Sequence, residues 1–256
     1  MHSFLDHDGI LAFAHRGDHQ SGPENTLPAF AGAVDLGYRY LETDTHCSND
    51  GVLLAFHDTR LDRVTNATGL LASLDYSEIQ KARINETETI PKLEELIGQF
   101  PDTCFNIDLK ADATVAPFLK MVHRLRCESR ICVGSFSSQR VEAVRSALPK
   151  VCTGLTPREV LWARLKSYRI PTPKIKGLCA QVPVRSGRLP IVDGRFLAAM
   201  QGLNTQTHVW TINDPDTMDQ LVSLGVEGLM TDDAKALKTV LMENNVWAEP
   251  PSLPPI

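Results

Sequence analysis

The sequence has no apolar run approaching the about 20 residues that a bilayer span needs, so no stable membrane insertion is expected. It has no basic excess. Lys and Arg number 26 against 31 Asp and Glu, giving a net charge of -5. Nucleic-acid proteins usually carry a basic face, so no nucleic-acid partner is expected. The first residues, Met1-His-Ser-Phe-Leu-Asp-His-Asp8, lack a basic segment followed by a long apolar one. This argues against a secretory signal and leads to the expectation of a cytoplasmic location. There is no G-x-S-x-G; Gly134-Ser-Phe-Ser-Ser138 does not match it, which argues against a serine-hydrolase mechanism. There is no G-x-G-x-x-G and no G-x-x-x-x-G-K-[ST], the commonest nucleotide cradles. The six cysteines (Cys47, Cys104, Cys127, Cys132, Cys152, Cys179) form no C-x-x-C pair. Their spacing does not point to zinc or a disulfide framework, and most lie in apolar runs. They read as small buried hydrophobes in a reducing compartment.

The chain has 256 residues, 43% hydrophobic and 22% charged, enough for one sizeable core. Short apolar runs at 10–16, 39–45, 103–110, 130–136, 151–156, 177–182, 207–212 and 228–232 are rich in Val, Ile, Leu, Cys and Phe. Such runs suit parallel strands buried on both faces. Amphipathic helical patterns lie between them, clearest at 25–36, 114–127 and 215–224, with Gly37 and Gly225 as C-terminal caps. Eight strands alternating with helices predict an α/β fold, a (β/α)8 TIM barrel forming one domain over residues 1–256. An open doubly wound sheet is the other arrangement, but the nucleotide motifs that commonly accompany it are missing.

Two local features depart from a plain barrel. Asn49-Asp50-Gly51 is a tight-turn signal between two extended runs. It predicts that the second strand continues into a hairpin with residue 43 roughly opposite 57, bringing His57 beside Glu42 and Asp44. Residues 59–89 are polar and weakly periodic, and read as a small insertion over the barrel mouth with one helix near 75–82. The tail, Glu249 to Ile256, is proline-rich and expected to fray.

In such barrels the strand ends at the C-terminal face build the active site. Here those ends carry His15, Arg16, Glu42, Asp44, Asp108, Lys110, Phe136, Trp210 and Asp232. Any one charge alone has a plainer reading as an ion pair closing the barrel. Together on one rim they call for a functional reason, because buried charge is costly unless paired or metal-bound. Glu42 and Asp44, alternate residues of a strand, point to one face. With Asp108 they offer oxygen ligands only, which suit one divalent cation, Mg²⁺ or Ca²⁺, better than Zn²⁺. His15 and His57 are the acid–base candidates. Arg16 and Lys110 suit a phosphate, whose charge grows as a pentavalent centre forms. Asn25 and Thr26 open the first helix, where either is an N-cap or a site residue. Trp210 and Phe136 are either core packing or cover for an apolar substrate face. His2, His7, His19, His46, His123 and His208 read as ordinary surface or loop residues, with His19 and His46 nearest the site.

With these residues in hand, the chain resembles the glycerophosphodiester phosphodiesterases of bacterial type. The matching segments, in order, are Ala14-His-Arg-Gly17, Pro23-Glu-Asn-Thr26, Glu42-x-Asp44, and Asp50-Gly51 leading to His57-Asp58. Next come Leu61-Asp-Arg63 with Thr65-Asn66 and Gly69, Ile90-Pro91 with Leu93-Glu94, and Asn106-Ile-Asp-Leu-Lys110. Ser135-Phe136, Val209-Trp-Thr-Ile-Asn213 and Gly228-Leu-Met-Thr-Asp232 complete the series. The resemblance implies a barrel with an insertion after its second strand, and hydrolysis of a small-molecule glycerophosphodiester to sn-glycerol 3-phosphate and an alcohol. It implies Glu42, Asp44 and Asp108 as metal ligands, His15 and His57 as general acid and base, and Arg16 and Lys110 as phosphate contacts. The family more often has Glu at the position of Asp108, and the shorter arm bears on ion preference. The competing expectations are a lysophospholipase D or phosphoinositide-type phospholipase C, with Leu70, Leu71 and Leu74 as a small apolar lip, and a non-catalytic phosphodiester-binding barrel.

Overall fold

A computed structural model describes residues 2–247; the expected fraying of Glu249 to Ile256 lies outside the described residues. Eight parallel strands form the barrel: Leu11–His15, Tyr40–Cys47, Cys104–Leu109, Ile131–Gly134, Cys152–Thr153, Cys179–Val182, Gln206–Val209 and Gly228–Thr231. Each pairs with its neighbours in chain order, and the first pairs with the eighth. The seam between the fifth and sixth strands is closed by a single parallel bridge, Gly154 with Cys179, rather than a ladder. The predicted strands and the three predicted helices are all present. The helices span Leu27–Asp35, Val115–Leu125 and Pro215–Leu224, with Gly225 left-handed at φ 91° after the last.

Strand periodicity sorts the core into two layers. Ala12, Ala14, Leu41, Phe105, Ile107, Val133, Ala180 and Val209 face outward and pack with the helices. Leu11, Phe13, Tyr40, Cys104, Cys132, Cys152, Cys179 and Met230 fill the barrel itself. A 3-10 turn, Ser3–Leu5, plugs the lower end with Phe4 and Leu5. The third strand shows how one face changes character: Cys104 lies in the apolar floor, Asn106 above it bonds Gln181, and Asp108 reaches the upper rim.

The hairpin forms in the expected register. Thr45 pairs with Ala55, His46 with Leu54 and Cys47 with Leu53, which places 43 and 57 on one line. Gly51, at φ 89°, turns the loop. The insertion folds around its own small core of Leu54, Phe56, Leu61, Leu71, Ile79, Ala82, Ile84 and Ile90. Its one α-helix is Tyr76–Ile79. Leu71 is fully buried there and Leu74 is half-buried, so of the three leucines named for a lip only Leu70, 48% exposed, stands at the surface. An isolated insertion needs its leucines for its own core before it can offer them to a ligand.

Candidate active site

The charged rim predicted from the strand ends assembles at the barrel mouth. Gly17 makes the first loop possible. Its φ is 89°, and a Cβ there would stand 2.7 Å from Ala29, so the chain turns tightly against the first helix. Arg16 and Asn25 also take positive φ, at 61° and 59°, and Asn25 N–H donates to Arg16 O at 2.9 Å.

Each histidine is held by a carboxylate. His15 Nδ1 stands 2.6 Å from Asp232 Oδ1, and Asp232 Oδ2 accepts from Asn213 Nδ2 at 2.8 Å. His57 Nδ1 stands 2.6 Å from Asp58 Oδ1. Nδ1 is thereby the protonated nitrogen in a neutral ring, and Nε2 is left to exchange protons. His15 Nε2 lies 3.7 Å from Glu42 Oε2. Burial pulls the His15 pKa down, but Glu42 and Asp232 outweigh it and leave it raised. For Asp232, burial pushes up, and bonds from His15 and Asn213 bring it down to about 2.

Glu42 and Asp44 are among the few acids with almost no exposure, 5% and 2%. Burial, then the charge of Asp44, pushes Glu42 up to about 8. Asp44 is also buried, yet Lys110 and Arg16 hold it below its ordinary range. Lys110 Nζ lies 2.7 Å from Asp44 Oδ1 and 2.8 Å from Asp108 Oδ2. Arg16 Nε lies 2.9 Å from Asp44 Oδ2, an ion-pair contact whose N–H is not aligned as a hydrogen bond. Glu42 Oε2 and Asp108 Oδ1 are buried and accept no hydrogen bond. The three carboxylates do not draw their oxygens to within 4.8 Å of one another, since Cys132, Cys152 and Cys179 are the only such trio among the described residues.

Asn25 does not cap the helix. Thr26 is the cap residue, without a side-chain cap bond, while Asn25 accepts from Thr43 Oγ1 at 2.7 Å and points its amide at Asp44 Oδ2, 3.5 Å away. Its left-handed backbone turns the side chain into the site. Phe136 is 70% exposed. Trp210 is partly buried and meets it edge-on at 6.1 Å between ring centroids, and Lys110 lies 6.0 Å from the Phe136 centroid. His57 lies close enough to Asp44 to help hold its pKa down, as the hairpin register predicts.

Three residues with roles the sequence reading did not assign complete the frame. Arg63, from the insertion, donates from Nε to Asp58 Oδ2 at 2.5 Å and from Nη2 to Glu24 Oε1 at 2.6 Å. Glu24 in turn accepts from Arg16 Nη1 at 3.0 Å. A chain Arg16–Glu24–Arg63–Asp58–His57 therefore spans the mouth. The carboxylate adjacent to His57 was a readable signal; the reach of Arg63 was not. Two histidines differ from the surface reading. His46 is buried on the second strand and bonds His57 O at 3.1 Å, and His208 is fully buried inside the barrel, because both occupy inward positions of buried strands.

Residues 15–236 match the model of the glycerophosphoryl diester phosphodiesterase family. The chain belongs to this family. A relative in Mycobacterium tuberculosis, named "Probable glycerophosphodiester phosphodiesterase 2", is 33% identical over 256 residues, covering 95% of each chain. Solved structures share the fold. A glycerophosphodiester phosphodiesterase from Agrobacterium tumefaciens has a TM-score of 0.77 at 21% identity, covering 91% of this chain and 99% of that one. A phosphodiesterase from Oleispira antarctica, solved in complex with its product sn-glycerol-3-phosphate, has a TM-score of 0.73 at 20% identity, covering 91% and 97%.

Proposed function

We propose that this chain hydrolyses glycerophosphodiesters to sn-glycerol 3-phosphate and an alcohol, with His15 and His57 moving the protons. The observation that carries this reading is the pair of imidazoles, each fixed through Nδ1 by a carboxylate at 2.6 Å and bordering one cluster of buried acids and two cations. One imidazole Nε2 takes the proton of the attacking oxygen, which is water or the glycerol 2-hydroxyl. The other gives a proton to the leaving alcohol oxygen. Attack by the 2-hydroxyl would leave a cyclic phosphate for water to open in a second step. Arg16 and Lys110 bind the phosphate oxygens, where negative charge increases. Asn25 fixes the Asp44 side of the site, and Phe136 with Trp210 forms the wall for apolar edges of the substrate.

The donor set suits a hard divalent cation, Mg²⁺ or Ca²⁺. Glu42 Oε2 and Asp108 Oδ1 are buried with no donor of their own, and Glu42 is pushed up by burial first and by the charge of Asp44 second. Glu42, Asp44 and Asp108 would hold the ion, whose chemistry when bound is polarisation of a phosphoryl oxygen. The whole chain acts as one barrel domain in this reading, since Arg63 of the 59–89 insertion completes the support of His57. No helix among the described residues is long and apolar enough to cross a membrane.

The test is turnover of glycerophosphocholine beside lysophosphatidylcholine. His15→Ala and His57→Ala should each lose ~10²–10⁴ of the rate on the glycerophosphodiester. Near-normal turnover in both variants would overturn the assignment. Preference for the lysophospholipid would move the substrate class to the lysophospholipase D reading.

A further inference from the structure

Below the acidic mouth, the barrel floor gathers sulfur. Cys132, Cys152 and Cys179 come from the fourth, fifth and sixth strands and are each 0% exposed. Their Sγ atoms all lie within 4.8 Å of one another, and Cys132 Sγ stands 3.7 Å from Cys179 Sγ. The strands impose this. Cys132 and Cys152 are register partners, and Cys179 forms the bridge to Gly154 across the seam.

His208 of the seventh strand adjoins the cluster and contributes, after the Cys132 and Cys152 thiols, to holding Cys179 well below the ordinary thiol range. Its tautomer follows from its partners. Gln206 donates its amide N–H to Leu5 O at 2.9 Å, which leaves Gln206 Oε1 as an acceptor facing His208 Nε2 at 3.0 Å. Nε2 therefore carries the proton, and Nδ1 presents a lone pair. That Nδ1 is buried and has no hydrogen-bond partner. An orphaned imidazole nitrogen costs free energy in an apolar core unless something binds it.

We propose that Cys132, Cys152 and Cys179, joined by Nδ1 of His208 drawn in from beyond the 4.8 Å that encloses the three sulfurs, form a site for one thiophilic cation of the Zn²⁺ type. Three thiols and an imidazole are the donors of a structural Cys₃His site, and thiolates about 2.3 Å from a tetrahedral ion stand about 3.8 Å apart. The 3.7 Å pair already has that spacing. Gln206 supplies the outer bond that metal-binding histidines usually make through their second nitrogen. On binding, the three S–H protons leave to solvent, and three thiolates, one neutral imidazole and Zn²⁺ leave a net single negative charge. The three thiols are 0% exposed and share their cluster with Phe13, Met230 and the Phe4–Leu5 plug, so the site is structural rather than catalytic. It fastens the barrel where the backbone fastens it least, at the two-residue fifth strand and the single-bridge seam.

Because the plug seals the floor, loading accompanies folding. The full chain is expressed in zinc-supplemented medium, washed with EDTA, and its zinc counted by native mass spectrometry. Wild type and Glu42→Gln should retain about one zinc per chain, while Cys132→Ala and Cys152→Ala fall at least about tenfold. Expression with Co²⁺ gives a second reading that needs no variant: thiolate charge-transfer and tetrahedral ligand-field bands in the wild-type protein. Metal-free wild-type protein with all cysteines free, a Cys132–Cys179 disulfide, zinc retained by both cysteine variants, or Co²⁺ bound without thiolate bands would each overturn the proposal.

Discussion

His15 and Asp232 meet at 2.6 Å from neighbouring strands at opposite ends of the chain. The carboxylate fixes which nitrogen of His15 carries the proton and aims the other at the acidic cluster. Asp232→Ala should lower kcat for glycerophosphodiesters about 10–100-fold with a smaller change in KM, as losses of orienting partners do. His15→Ala should cost more, and adding Asp232→Ala to it should cost little further, because the two act as one unit. Steady-state kinetics of the two single variants and the double variant check this.

Arg63 does for His57, through Asp58, what Asn213 does for His15 through Asp232. Arg63→Ala frees Asp58 to turn from His57 and breaks the link to Glu24. The expected loss is about tenfold in kcat, within the range for outer-shell residues. Arg63→Lys should restore little, since one ammonium cannot replace a guanidinium that reaches two carboxylates. A kcat unchanged in Arg63→Ala would separate the insertion from catalysis.

Glu159 is a structural acid on the far side of the chemistry. It bonds Arg145, Thr156 N–H at 2.9 Å and Lys176 N–H at 2.7 Å while 3% exposed. Burial alone would raise its pKa; Arg145 and the two amides outweigh it, so the pKa falls below 4.5. A depressed carboxylate contributes stability that is full above its unfolded pKa and lost as pH falls through the folded one. Glu159→Ala should cost about 1–3 kcal/mol at pH 7, because the Thr156 and Lys176 amides lose their acceptor while Arg145 keeps Glu142 at 3.0 Å. The difference should shrink as urea melts are taken to pH values below 4.5.

Gly17→Ala should destabilise the fold and the site together. The new methyl would meet Ala29 at 2.7 Å, from a backbone φ of 89° that side chains rarely adopt. About 1–3 kcal/mol follows from overpacking alone. Thermal melts give the stability, and a fall in kcat beyond the folded fraction would show Arg16 displaced.

The barrel was legible because each strand is a short apolar run followed by a helix-period pattern. The rim was legible because charges end those runs. The hairpin register followed from Asn49-Asp50-Gly51, and the ladder at Thr45 and Ala55 extends along that line. Asn25 was undecided because helix caps and site residues use the same side chains, and only the left-handed φ separates them here. Arg63 was out of reach because its partners, Glu24 and Asp58, are brought together by tertiary packing of the insertion. The burial of His208 and the meeting of the three thiols, which are free and buried as expected, were out of reach for a related reason. Cys132, Cys152 and Cys179 lie far apart in sequence and match no local ligand pattern, yet a closing barrel turns alternate residues of neighbouring strands to one point.

The most direct test of the central claim is release of sn-glycerol 3-phosphate from glycerophosphocholine by chelator-stripped protein, with and without added Mg²⁺ or Ca²⁺. Release restored by either ion, and lost in Glu42→Gln at the same ion concentration, is the predicted result. Folded wild-type protein that releases no glycerol 3-phosphate with either ion would contradict it.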